Sequence, residues 1–256
     1  MAINDKWLVI TRPAHQTEIL RLKLESVGAH SVLFPLIEIT PPDDLTLVKK
    51  QLSRLQYYDL VIFVSANAVE QTFRYINAMQ LAFLKTATVA TTGKKTASSL
   101  EDKGVTTDFC PTQTFNSEAL LALLNFKAFC EGKKIAIIRG EGGRELLRDE
   151  LLKIAKNVDY INIYQRTCPQ TNLDVLQQHA NRGELDTVLL TSGTSVINFF
   201  ALAASTKNAS WINDVTLLLG SPRMQKEIPD SFQGKLAFAE DPSDETLYKK
   251  LTEIHL

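Results

Sequence analysis

The chain is poor in the residues that build metal centres and disulfide frameworks. Three cysteines, Cys110, Cys130 and Cys168, occur in 256 residues, and their number and spacing suit neither a paired framework nor a close set of thiolate ligands. They read as small buried or idle thiols in a reducing compartment. Four histidines, His15, His30, His179 and His255, stand far apart and form no H-x-x-x-H set, which argues against zinc. An excess of one charge is also lacking. The net charge of −1 gives no general attraction to nucleic acid or to an anionic membrane surface. The longest apolar region, around 188–204, is broken by Thr191, Ser192, Gly193, Thr194, Ser195 and Asn198, so it is too short and too polar to span a bilayer. Asp5 and Lys6 precede a short strand with no signal-peptide pattern. The expectation is a cytoplasmic monomer that takes a small molecule, with no metal, nucleic acid or membrane as partner.

What is present is an ordinary globular composition, 45% hydrophobic and 22% charged, in a chain long enough for one large domain or two small ones. The main organisational feature is a repeat. Shifting the chain by 127 positions lays Arg12 on Arg139, Glu18 on Glu145, Leu20 on Leu147 and Leu24 on Leu151. The same shift lays Asp59 on Asp186, Ser65 on Ser192, Val69 on Val196, Gly93 on Gly220 and Glu118 on Glu245. One ungapped shift that matches from end to end implies an internal duplication.

Each copy has the same order of patterns. A short apolar run, "WLVIT" or "KIAII", precedes helical spacing at Ile19, Leu20, Leu22 and Leu24, or at Leu146, Leu147, Leu151 and Leu152. Further strands are predicted at "FPLIEIT" (34–40) or "YINIYQRT" (160–167), at "LVIFVS" or "TVLLTS", and at "TVATTG" or "TLLLG". A polar-capped helix, "NSEALLALL" or "SDETLYKKL", closes the copy. Continuous apolar strands alternating with helices predict parallel sheets covered on both faces. Two α/β units with a groove between them follow, with ligands at the carboxyl ends of the strands.

Six strand-to-helix corners occupy those ends: "TRP", "SANA", "TTGKKTA", "RGEGGR", "TSGTS" and "GSPR". Pro13 suits a first helical position. Helix starts offer free N–H groups, and arginine forks add charge, so an anionic ligand is one reading. Plain helix capping by Ser, Thr and Asn is the other. "RGEGGR" lacks the third glycine of the dinucleotide pattern, because Glu145 stands in its place. In "YINIYQRT", alternation would put Tyr160, Asn162, Tyr164 and Arg166 on one face and Ile161, Ile163 and Gln165 on the other. Pro35 makes "FPLIEIT" an edge or connector strand. Tyr164 reads either as a packing residue or as a proton donor, since an unperturbed phenol, with a pKa near 10, is protonated at neutral pH.

Taken in order, "VITRP", "FPLIEI", "YDLVIFVSANAV", "TTGKKTASSLEDKG", "IRGEGGRELLRDEL", "YINIYQRT" and "LLTSGTSVINF" resemble the uroporphyrinogen-III synthase family. The resemblance implies two α/β/α domains with parallel sheets, flavodoxin-like or Rossmann-like, joined by a two-stranded β linker. Domain one would be 1–35 with 168–256, domain two 40–160, and the linker 36–39 with 161–167. The sequence repeat and the domains would then be out of phase. It also implies a cofactor-free reaction in which hydroxymethylbilane, a linear tetrapyrrole with eight carboxylates, loses its hydroxyl as water and closes with inversion of ring D.

The family's tyrosine maps onto Tyr164, as the acid that helps the hydroxyl leave, and its hydroxyl positions map onto Ser65, Thr96 and Ser192. Arg12, Lys94, Arg139, Arg144 and Arg166 are candidate carboxylate contacts or corner-stabilising charges. Gly140, in the same glycine corner, is a further candidate substrate contact. "GSPRMQKE" departs from the pattern, with Arg223 where a hydroxyl is often found, and Arg223 is the candidate carboxylate contact at that corner. Two rivals remain open: a two-lobed binding protein for a small anion, and a nucleotide-dependent transferase. A Tyr164 hydroxyl walled off in an apolar interior would count against the catalytic reading.

Overall fold

The computed structural model describes residues 3–13, 16–207 and 209–256; His15 lies outside them. In chain order the elements begin with β1 (Trp7–Ile10), α1 (Glu18–Glu25), β2 (His30–Leu33), β3 (Glu38–Thr40) and α2 (Leu45–Leu52). They continue with β4 (Leu60–Phe63), α3 (Ala66–Tyr75), α4 (Ala78–Leu84), β5 (Thr88–Thr91), α5 (Lys94–Glu101), α6 (Ser117–Leu121) and α7 (Phe126–Cys130). Next come β6 (Lys134–Gly140), α8 (Leu146–Leu152), β7 (Asn157–Thr167), α9 (Asp174–Asn181), β8 (Thr187–Leu190) and α10 (Gly193–Ser205). The chain closes with β9 (Thr216–Leu219), β10 (Lys235–Phe238) and α11 (Asp244–Ile254).

The chain divides into two compact units. One comprises Met1–Glu38 and Thr167–Leu256, the other Ile39–Arg166. Unit one holds a sheet of order β10-β9-β8-β1-β2, in which every pair is parallel. Unit two holds β3-β7-β6-β4-β5, with β6 parallel to both β4 and β7, and β4 parallel to β5. The strands read as continuous apolar runs because both faces are covered. In unit two, Val61, Phe63, Ala136 and Ile138 face one core, and Leu60, Ile62, Ile135 and Ile137 face the other. In unit one, Val9, Val188 and Leu190 point to one side and Leu8, Ile10 and Leu189 to the other.

The 127-residue shift places β4 on β8 and α3 on the start of α10. It also lays Phe109, which bridges Ala90 in parallel, on Leu236 of β10. Each sheet combines the opening strands of one copy with the later strands of the other: β1 and β2 join β8 and β9, while β6 and β7 join β4 and β5.

Three sequence expectations need correction. "FPLIEIT" is not one strand: β2 ends at Leu33 and β3 begins at Glu38, because Pro35 has no N–H for a ladder. Pro13 does not start α1, which begins at Glu18. Of the four apolar residues expected to line α1, Leu20 and Leu24 are buried, whereas Ile19 is 74% exposed and Leu22 53%. Only the i, i+4 pair faces the sheet. Among the described residues no helix is long and apolar enough to cross a membrane.

Candidate functional site

The residues of β7 carry the decisive geometry. Arg139 pairs with Asn162, but the next residue, Gly140, pairs with Tyr164. Ile163 is therefore an extra residue, a bulge that breaks the period of two. Past the bulge the side chains change face. Tyr160 packs on one core, whereas Tyr164 joins Ile161 and Ile163 on the other. This overturns the expectation that Tyr160 and Tyr164 share an aromatic, polar face.

Gly140 makes room for the displaced ring. A Cβ on Gly140 would lie 2.5 Å from Cε2 and Cζ of Tyr164, so any larger residue would push the phenol away. Tyr164 is fully buried, yet its hydroxyl is not enclosed by apolar groups alone. It lies 3.2 Å from the Ser65 Oγ, and the Arg166 guanidinium donates a 2.7 Å hydrogen bond to it. Ser65 is half-buried and Arg166 exposed. Ser65 also caps α3, accepting from the Ala68 N–H at 3.1 Å. Unit two thus brings together Tyr164, Ser65, Arg166 and Gly140.

The glycine corner holds a cation of its own. Arg139 is buried, its Nε donating to the Gly140 carbonyl at 3.1 Å and its Nη1 reaching the Arg144 carbonyl and Glu145 carboxylate at 3.4 Å. Its guanidinium also packs 4.4 Å from the centre of the Tyr160 ring, and burial pushes the Tyr160 phenol up from its ordinary pKa. Gly142 and Gly143 take φ values of +73° and +91°, which let the loop close around this side chain. Loop oxygens directed at a guanidinium are the reverse of a phosphate cradle.

Arg144 is exposed and forms a forked ion pair with Glu118 in the first turn of α6. The hydrogen bond from Arg144 holds the Glu118 carboxyl below its ordinary pKa. Lys94 is exposed at the start of α5, and Thr96, two residues on, is buried.

Unit one repeats part of this plan. Arg12 is ion-paired with Asp244 in the first turn of α11 and hydrogen-bonded to the Pro242 carbonyl. Sequence reasoning missed both Arg12–Asp244 and Arg144–Glu118. The alignment of Glu118 with Glu245 was the signal, since it marks an acidic first turn in both closing helices.

Ser192 caps α10 in a reciprocal box with Ser195. It lies with Arg223 on a cavity of about 470 Å³ at the carboxyl ends of β8 and β9. Arg223 sits in a 3₁₀ turn, Pro222–Glu227, where unit two has α5. Arg223 and Lys226 share that lining with Glu227, Glu240 and Asp241, so this corner is of mixed charge rather than basic.

A family model described as uroporphyrinogen-III synthase HemD matches residues 19–249. The chain belongs to the uroporphyrinogen-III synthase family. It is 26% identical to a uroporphyrinogen-III synthase from Escherichia coli, over 95% of this chain and 99% of that one. It is 32% identical to one from Proteus mirabilis, over 62% of this chain and 79% of that one. Its fold is similar to that of a uroporphyrinogen-III synthetase from Helicobacter pylori, with a TM-score of 0.61 at 15% identity over 97% and 99% of the two chains. A mutant uroporphyrinogen III synthase from Thermus thermophilus gives 0.58 at 15% identity, over 97% of this chain and 99% of that one. At those identities the solved structures speak for the fold.

Proposed function

We propose that this chain is a cyclising hydro-lyase. It converts hydroxymethylbilane to uroporphyrinogen III by expelling the terminal hydroxyl as water, inverting ring D and closing the macrocycle in tetrapyrrole biosynthesis. Family membership supports the reaction. The observation that carries the mechanism is the Tyr164 hydroxyl, set at the carboxyl end of β7 between Ser65 and Arg166.

A hydroxyl is a poor leaving group unless it takes up a proton as its bond breaks, and a positioned phenol can supply one. Tyr164 is the proton source in this reading. The bulge at Ile163 and the bare α-carbon of Gly140 fix its position, and the Arg166 guanidinium stands ready to balance the phenolate left behind. Ser65, Thr96, Lys94 and Arg166 contribute substrate contacts from unit two, and Ser192 and Arg223 from unit one. Arg12, Arg139 and Arg144 hold corners in place through the internal partners described above. No cofactor or metal takes part, and the enzyme works as a cytoplasmic monomer.

The test is to supply freshly made hydroxymethylbilane and separate the cyclic isomers by chromatography. Spontaneous closure gives the uninverted type I ring. Type III product that depends on the protein supports the reading, and type I alone would end it.

A further inference from the structure

We propose that the proton reaches the substrate through Ser65, with Tyr164 as the reservoir behind it. The inference rests on the reaction proposed above and follows from counting donors and acceptors. A guanidinium donates and never accepts, so the 2.7 Å bond from Arg166 occupies a lone pair of the Tyr164 Oη. The phenol's own hydrogen is thereby free to point at its other neighbour, the Ser65 Oγ at 3.2 Å. That oxygen then accepts twice, from Tyr164 and from the Ala68 N–H, which uses both of its lone pairs. Within its unit, among the described residues, the Ser65 hydroxyl hydrogen goes to no acceptor. It is the proton the cluster can offer outward, and Ser65 is only part-buried where Tyr164 is fully buried. The N–H at the start of α3 polarises the serine further toward donation.

The carbon–oxygen bond of the substrate's hydroxymethyl group breaks, and its electron pair stays on oxygen. Ser65 Oγ–H passes its proton to that oxygen, and water leaves. The Tyr164 hydroxyl proton moves to the Ser65 Oγ, which restores the serine. The remaining phenolate faces the Arg166 guanidinium. After the ring closes, the carbon skeleton sheds a proton that returns by the same route.

Ser65→Asn keeps an oxygen to cap α3 but has no hydroxyl to relay, Ser65→Gly is a second hydroxyl-free variant that costs little as a cap, and Ser65→Thr keeps both functions. The expected result is that Asn and Gly lower kcat at least about tenfold, with KM little changed and the melting temperature near that of the parent. Threonine restores most of the turnover. Ser65→Asn combined with Tyr164→Phe should be no slower than the slower single variant, because one relay is broken once. Normal turnover by Ser65→Asn or Ser65→Gly alongside a slow Tyr164→Phe would overturn the relay and leave the reaction intact. A parent protein yielding type I ring alone would instead overturn the reaction itself.

Discussion

Ser65 and Ser192 occupy matching places in the two units. Each follows a buried four-residue strand, each caps the next helix, and each accepts a backbone N–H at 3.1 Å. Their hydroxyl hydrogens have different fates. Ser192 donates to the Ser195 Oγ at 3.3 Å, and Ser195 in turn donates to the Ser192 carbonyl at 2.7 Å, so the box closes on itself. Ser65 faces a tyrosine hydroxyl instead. The counterparts of Tyr164 and Gly140 under the repeat are Ile37 and Pro13, neither of which can build the same cluster. The repeat gives two equivalent helix starts, and under the proposed mechanism only the one at Ser65 takes a chemical task.

The sharpest way to break this comparison is Gly140→Ala. The added methyl meets the Tyr164 ring at 2.5 Å, and relieving it should cost about 1–3 kcal/mol. We expect most of the activity to vanish through displacement of the phenol. Gly220→Ala in unit one meets Pro242 and the Thr191 backbone at 3.0 and 3.1 Å. It should lower the melting temperature while retaining far more turnover. Equal activity losses would erase the distinction between the corners.

Next comes the serine pair. Ser65→Ala and Ser192→Ala should each cost about 1 kcal/mol as lost caps, measured by denaturant unfolding. Only the first should reduce kcat, by at least about tenfold.

The arginine pair follows. Arg12→Ala strands Asp244 in a part-buried setting and removes a bond to the exposed Pro242 carbonyl, at a cost of about 1–3 kcal/mol. Arg144→Ala loses an ion pair whose side chains are 64% and 49% exposed, and solvent screening makes its effect the smaller of the two. Both should act on stability more than on KM, and a large rise in KM would mark either one as a substrate contact.

The smallest effect concerns pH. Burial holds the His255 imidazole below its ordinary pKa, and its Nε2 lies 2.9 Å from the Thr187 Oγ1. The unfolded chain therefore takes up a proton near pH 6.5 that the folded unit resists. The contribution of His255 is full above that pH and fades as pH falls toward its lowered folded value. His255→Gln should flatten the stability profile over this window. The matching position in unit two is Ala128, so no such acid sensitivity is expected there.

Much of the fold was legible because the repeat marks it. Strand and helix patterns recur 127 residues apart, whereas Pro35, read as the mark of an edge or connector strand, instead separates β2 from β3. The faces of β7 were not legible. A bulge adds one residue without changing composition, and nothing in "YINIYQRT" distinguishes an unbroken alternation from one that resets at Ile163. The role of Arg139 was hidden for a related reason. A glycine loop next to an arginine reads as an anion site until the φ values of Gly142 and Gly143 show it folded around that arginine. Tyr164, Ser65 and Arg166 were each nameable from sequence, but their donor and acceptor relations depend on a side-chain geometry that no spacing encodes.

The most direct test of the central claim is the turnover of Tyr164→Phe on fresh hydroxymethylbilane, with the ring isomer identified and folding checked by thermal melt. The account predicts a folded protein at least about tenfold slower that still makes the type III ring. Near-normal turnover would show that the buried phenol packs the core and supplies no proton.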